Sequence, residues 1–279
     1  MNYVSLNGKS LSGQEPVLLA ANRGYRYGDG LFETMKMIDS KIRLSDHHFE
    51  RLFAGLALLQ FDIPKFFTPG KLQDDILTLC KKNGCERLAR IRLSVFRGNG
   101  GLYDANRTTE YLVECWSLDE SVNKLNENGL VIGVYTEARK SCDKFSDLKS
   151  ANFLPYTMAA LFARENKWND CLVLNTHDRI CDSTIANVFW IKDDIIFTPP
   201  LSEGCINGVM RKFLLNELPK YGYNVQQSPV SITGMENADE IFLTNAINGM
   251  RWVREFRGNT YANAKVTEIY QRFTTTLLD

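Results

Sequence analysis

Few residues in this chain have the type and setting to do chemistry. Lys149, in SDLKSANFLPY, stands where a polar loop meets an apolar helical segment. Its amine is therefore either solvated, as lysines near helix starts usually are, or partly desolvated. A desolvated lysine amine attacks carbonyl carbon and forms Schiff bases. Asp182, in RICDSTIANVFWI, sits just ahead of an apolar strand, where a carboxylate either opens a turn or partners a buried cation. Asn207 and Gly208 precede VMRKFLLNEL, whose spacing predicts a helix. The positive end of such a helix suits a phosphate, and a plain capped helix reads the same way. The segment RGYRYGDGLFET, residues 23–34, mixes Gly with aromatics, which permits close backbone approach and by composition predicts a hairpin.

Other chemistries have little material. Three His, of which His47 and His48 are adjacent, leave little for a zinc site or a Ser/His/Asp triad, and no metal site is expected. No GxxxxGK[ST] sequence is present, so a nucleotide P-loop is not supported. Seven scattered Cys without a CxxC pattern suit reduced thiols, most of them small core residues, in a cytoplasmic protein. The 33 basic residues balance 33 acidic ones, leaving no surplus positive charge for nucleic acid or an anionic membrane. No apolar run is long enough to span a bilayer, and the start lacks the pattern of a secretory leader.

The elements that must position these residues follow from periodicity. Phe49, Leu52, Phe53, Leu56 and Leu59 form one apolar stripe of a helix that Asp46 can cap. A second helix has Thr68 as cap, Pro69 at its first position, apolar Leu72, Ile76, Leu79 and Cys80, and a closing Gly84. Ala89, Ile91, Leu93 and Val95 alternate with polar residues, which predicts a strand over 88–96, and a second covers 111–116. The polar stretch 117–129 marks a boundary, giving domains 1–120 and 121–279. Beyond it the pattern predicts strands at 130–137, 171–175, 188–191, 195–198 and 240–244. It also predicts helices at 154–165 and 209–218 and a closing helix from Thr267.

Taken together, RGYRYGDGLFET, the helix HHFERL and the turn-helix NGVMR, in this order over nearly the whole chain, resemble the fold-type IV, or class IV aminotransferase, family of pyridoxal 5'-phosphate enzymes. That family includes branched-chain aminotransferases, D-amino-acid aminotransferases and 4-amino-4-deoxychorismate lyases. The resemblance implies an α+β fold of two α/β domains, a smaller N-terminal and a larger C-terminal one, with the active site between them. It matches Lys149 to the lysine of the internal aldimine, which also shuttles protons at the substrate Cα. It matches Arg51 to the phosphate-holding arginine, Gly208, Val209 and Met210 to backbone amides completing that site, and Thr244 and Asn245 to a loop with further phosphate contacts. Asp182 occupies the slot, five residues before Asn187, where the family normally carries the Glu that pairs with the pyridine nitrogen. Asp is one methylene shorter, so the pair lengthens, takes in a water, or draws the ring deeper.

A second departure bears on substrate. In RGNGGLYD the family's D-amino-acid aminotransferases and lyases tend to carry a carboxylate-clamping Arg five residues after the first, and here that position is Leu102. Arg97 remains as a candidate carboxylate contact or a strand-end residue. The apolar Leu102 favours transamination of an amino acid with a branched-chain-like or other apolar side chain. The lyase outcome, 4-aminobenzoate and pyruvate from aminodeoxychorismate, stays open because Asn245 and Ala246 are lyase-like. A protein that binds the cofactor without turnover stays open through Asp182. The resemblance further implies a homodimer acting on small amino and keto acids.

Overall fold

The computed structural model describes residues 2–278, and the fold is α+β with its strands gathered into two sheets. The chain divides into two compact units, Met1–Ser121 with Lys149–Asn152, and Val122–Leu148 with Phe153–Asp279.

The first unit holds β1 (Tyr3–Leu6), β2 (Lys9–Ser12), β3 (Gly30–Ile38), β4 (Lys41–Ile42), β5 (Leu88–Arg97) and β6 (Thr109–Ser117). They pair antiparallel in the order β2-β1-β6-β5-β3-β4. Ala89, Ile91, Leu93 and Val95 of β5 are wholly buried while Arg90 is exposed, so the predicted alternation is the burial pattern. Helices α2 (Ser45–Leu58) and α3 (Pro69–Lys82) add Leu52, Leu56, Leu72 and Ile76 to this core. α3 starts as predicted, with Thr68 Oγ1 accepting from the Lys71 amide. α2 does not start on an Asp46 cap. Leu44, in the left-handed region at φ 52, precedes it without a side-chain cap, and Asp46 lies in the first turn, facing the positive helix end.

The hairpin expected at 23–34 is also corrected. Asn22 accepts from the Tyr25 amide and opens a short helix, α1 (Arg23–Tyr27), which Gly28 closes at φ 63 before the chain enters β3. An N-cap and a glycine stop beat the composition-based hairpin.

The second unit holds β7 (Leu130–Lys140), β8 (Asp170–Asn175), β9 (Ile180–Ser183), β10 (Asn187–Lys192), β11 (Ile195–Thr198), β12 (Val225–Gln227), β13 (Glu240–Asn245), β14 (Gly249–Phe256) and β15 (Asn259–Thr260). Their order is β12-β11-β10-β13-β14-β7-β8-β9, with β15 on β14. The β14–β7, β7–β8 and β11–β12 pairs are parallel. β8 is buried on both faces: Leu172 and Leu174 join one core, while Cys171 and Val173 pack with Tyr156, Ala159 and Ala163 of α4 (Leu154–Glu165). That double burial explains its unbroken apolar run. α5 (Val209–Glu217) and α6 (Ile232–Glu236) follow, and α5 packs on β13.

The closing helix α7 (Ala264–Leu278) begins earlier than Thr267, because Glu240 of β13 accepts from the Lys265 and Val266 amides at 2.9 and 2.8 Å. A cap supplied from a distant strand leaves no local signature. Among the described residues no helix is long and apolar enough to cross a membrane.

Candidate active site

The Gly-rich segment builds the seat for Lys149. Residues 149–151 run antiparallel to the start of β3: the Phe32 amide donates to the Lys149 carbonyl and the Ala151 amide to the Gly30 carbonyl, each at 2.9 Å. A Cβ on Gly28 would lie 2.6 Å from Asn152 Oδ1, and one on Gly30 would lie 2.5 Å from the Val95 carbonyl. Glycine is therefore needed at Gly30 for this close backbone approach and at Gly28 for its left-handed φ of 63. Asp29 between them is held by Arg23, at 2.9 Å, and by Arg97. Lys149 itself is half-buried, with Nζ 4.5 Å from the centre of the Phe32 ring. The Arg92 guanidinium lies over the same ring at 4.0 Å.

One residue beyond Phe32, Glu33 points into the helix-covered side of the sheet and is 1% exposed. Arg51 forks onto it, Nε to Oε1 at 2.8 Å and an NH2 to Oε2 at 2.5 Å, and His48 Nδ1 meets Oε2 at 2.6 Å. Burial alone would raise this carboxyl; the Arg51 charge and the His48 bond outweigh it and hold it at about 2. Burial pushes His48 below its ordinary value, so the neutral ring donates through Nδ1 while its buried Nε2 has no partner among the described residues. Arg51 is thereby fixed in direction by a charge-assisted fork.

In the second unit Asp182, on β9, is 2% exposed. Its Oδ2 accepts from the Tyr156 hydroxyl at 2.7 Å, the Ile206 amide at 2.9 Å and Lys140 Nζ at 3.4 Å, and its Oδ1 accepts from Asn187 Nδ2 at 2.8 Å. Of the two readings open for this carboxylate, the buried partner of a cation is the one observed. Burial still raises its pKa, against the Lys140 charge and these bonds. Burial, followed by the nearby Asp182 charge, raises the Tyr156 phenol well above its usual range, so it stays a donor.

Asn187 ties this carboxylate to the start of α5. Its Nδ2 also donates to the Ile206 carbonyl at 2.8 Å, and a Cβ on Gly208 would fall 1.8 Å from its Oδ1. Gly208 is the N-cap of α5 and no side chain caps the helix, so the first-turn amides of Val209 and Met210 are not occupied by a capping group. Thr244 faces Asn187 across the β10–β13 pair, 1% exposed, with a hydroxyl that has no partner among the described residues. Asn245 uses Oδ1 to accept from the Ile247 and Asn248 amides at 3.0 and 2.8 Å, shaping the turn into β14. Leu102 is 60% exposed. Arg97 is engaged by Asp29 and the Leu59 carbonyl and stacks on Phe61.

The sequence reading did not single out Glu33, His48, Lys140, Tyr156 or Asn187 as site residues. One signal could have found Glu33: it falls in phase with Leu31, Met35 and Met37 on the buried face of β3.

The family model described as Amino-transferase class IV matches residues 30–256. The chain belongs to the class IV aminotransferase family. It is similar to the aminodeoxychorismate lyase of Vibrio harveyi, 28% identical over 232 residues covering 82% of this chain and 83% of that one. It is also similar to the D-alanine aminotransferase of Bacillus licheniformis, 25% identical with 92% and 89% of the chains covered. The crystal structure of Escherichia coli branched-chain amino acid aminotransferase superposes with a TM-score of 0.88 at 21% identity, over 99% of this chain and 94% of that one. Class IV aminotransferases are enzymes that use pyridoxal 5'-phosphate. Each unit carries residues that fit that group: the first a lysine amine for the aldehyde, the second a buried carboxylate whose Oδ1 takes a single donor, an uncapped helix start, and a buried hydroxyl without a partner among the described residues on the strand beneath that helix.

Proposed function

We propose that this enzyme transaminates an amino acid with an apolar side chain. When bound, pyridoxal phosphate supplies an electrophilic carbon for the amino group and a ring that accepts electron density from Cα. Lys149 is the residue that attaches the cofactor and then carries a proton away from and back to the substrate Cα. Asp182 would pair with the ring nitrogen through Oδ1, which Asn187 holds, while Tyr156 and the Ile206 amide hold Oδ2 and so fix the carboxylate plane. Arg51, oriented by Glu33, supplies positive charge for the phosphate. The amides of Val209 and Met210, the Thr244 hydroxyl and the Asn245 turn supply its hydrogen bonds; the Gly208 amide, expected to join them, instead donates to the Ile206 carbonyl at 2.8 Å.

The observation that carries the substrate reading is the Phe32 ring, which has the Lys149 amine at 4.5 Å and the Arg92 guanidinium at 4.0 Å. An aromatic surface beside the proton carrier suits an apolar side chain, and Arg92 offers a cation for a carboxylate where Leu102 offers none and Arg97 is engaged. A second reading, aminodeoxychorismate lyase, is favoured by the similarity to the Vibrio harveyi enzyme and by Asn245 with Ala246. Incubation with L- and D-amino acids plus a keto acid, and separately with aminodeoxychorismate, tests both. Keto-acid formation from an apolar amino acid supports the transaminase, and pyruvate with 4-aminobenzoate from aminodeoxychorismate alone overturns it in favour of the lyase. We also propose a cytoplasmic location, in keeping with the free thiols, and a homodimer, in keeping with the family resemblance; sedimentation at the mass of a single chain contradicts the dimer.

A further inference from the structure

We propose that Cys80, Cys85 and Cys115 form a three-sulfur site for a soft monovalent cation, copper(I). Their sulfurs all lie within 4.8 Å of one another, and the three residues are 0%, 4% and 1% exposed. A planar site with metal–sulfur bonds of about 2.3 Å needs sulfurs about 4 Å apart, so small side-chain rotations close it.

The arrangement has local causes. Gly84, at φ 64, ends α3 with the Cys85 amide donating to the Cys80 carbonyl at 3.0 Å and the Gly84 amide to the Lys81 carbonyl at 3.1 Å. This Schellman closure brings the side chains at its two ends together, and here both ends are cysteines. α3 packs on β6, which carries Cys115. Asn83 then completes an outer shell. Its Oδ1 accepts from the Asn2 and Tyr3 amides at 3.2 and 3.0 Å, and its Nδ2 donates to the Tyr3 carbonyl at 2.9 Å and to Cys115 Sγ at 3.2 Å. An amide anchored on β1 and aimed at a sulfur is the kind of support that orients a metal-binding thiolate.

The ligand class follows from the donors. Thiolate sulfur selects soft ions, copper(I) and zinc among them. Zinc takes four ligands, and among the described residues no fourth His, Cys, Asp or Glu joins these sulfurs. Burial leaves little room for water as the fourth. Copper(I) is satisfied by three sulfurs, and binding displaces thiol protons as the thiols coordinate.

The test uses the full chain with its cofactor, under reducing conditions, titrated with copper(I) against a chromophoric copper(I) chelator. One equivalent is expected to bind, to resist excess zinc(II), and to show three sulfur neighbours by X-ray absorption of the wild-type protein. Cys80→Ala, Cys85→Ala and Cys115→Ala should each weaken binding by roughly 100-fold and Asn83→Ala by about 10-fold, with Cys142→Ala unaffected. The absorption measurement needs no variant to fold. No stoichiometric copper, fewer than three sulfurs around it, displacement by zinc, or unchanged affinity in the three cysteine variants would overturn the proposal.

Discussion

Asn187 Nδ2 donates at 2.8 Å both to Asp182 Oδ1 and to the Ile206 carbonyl, so one amide joins the buried carboxylate to the turn that leads into α5. A ring nitrogen at one end and a phosphate at the other would thus be registered through a single side chain. Asp182→Asn keeps the shape and removes the charge. Turnover should fall by about 100-fold or more, equivalent to about 2.7 kcal/mol, and the cofactor-free protein should melt lower, since the amide nitrogen faces donors that the carboxylate accepted. A variant with full turnover would show that Asp182 does not tune the ring.

Thr244→Val separates a cofactor role from a packing role. The hydroxyl is buried without a partner, so removing it should leave the cofactor-free protein as stable or more stable. If the hydroxyl serves the phosphate, cofactor affinity should drop by about 5- to 10-fold, or about 1 kcal/mol. Equilibrium dialysis and thermal melts, read together, distinguish the two.

Glu33 makes the first unit acid-sensitive. Its carboxyl sits at about 2 in the fold against an ordinary 4.5. The unfolded chain takes up this proton first as pH falls, so the stabilisation is full above about 4.5 and is lost down through about 2. The amount is about 3 kcal/mol. Urea denaturation from pH 6 to pH 3 should show about 2 kcal/mol of this loss in the wild type and a flatter profile in Glu33→Gln; parallel profiles would contradict it.

Arg92 should read out as substrate binding. Arg92→Ala is expected to raise KM for the amino acid by about 10-fold or more, with Arg92→Lys intermediate because a point charge cannot reproduce the guanidinium fork. Cofactor affinity should be unchanged. An unaltered KM would remove Arg92 from the carboxylate site.

Much of this site was legible because its signals are local. Thr68, Pro69 and Gly84 bound α3 within the stretch that forms it, and the β5 alternation is its burial pattern. Asp182 could be located by counting back from Asn187, but the contact between them could not be read, nor could Tyr156 and Lys140 as its partners. Those depend on α4 and β7 packing beside β8 and β9. β14 has no clear strand signature: its MRWVREF run scatters charge among apolar residues, and it pairs between β13 and β7. The start of α7 was misplaced because its cap, Glu240, lies a strand away in sequence.

Lys149 is proposed as the amine that attaches pyridoxal phosphate. The most direct measurement is borohydride reduction of the cofactor-loaded protein followed by peptide mass mapping, with the absorption spectrum recorded before reduction. A visible or near-ultraviolet band, and a phosphopyridoxyl mass on the peptide containing SDLKSANF, are predicted, with both absent in Lys149→Ala. Attachment at another lysine, or a band that survives in Lys149→Ala after dialysis, would contradict it.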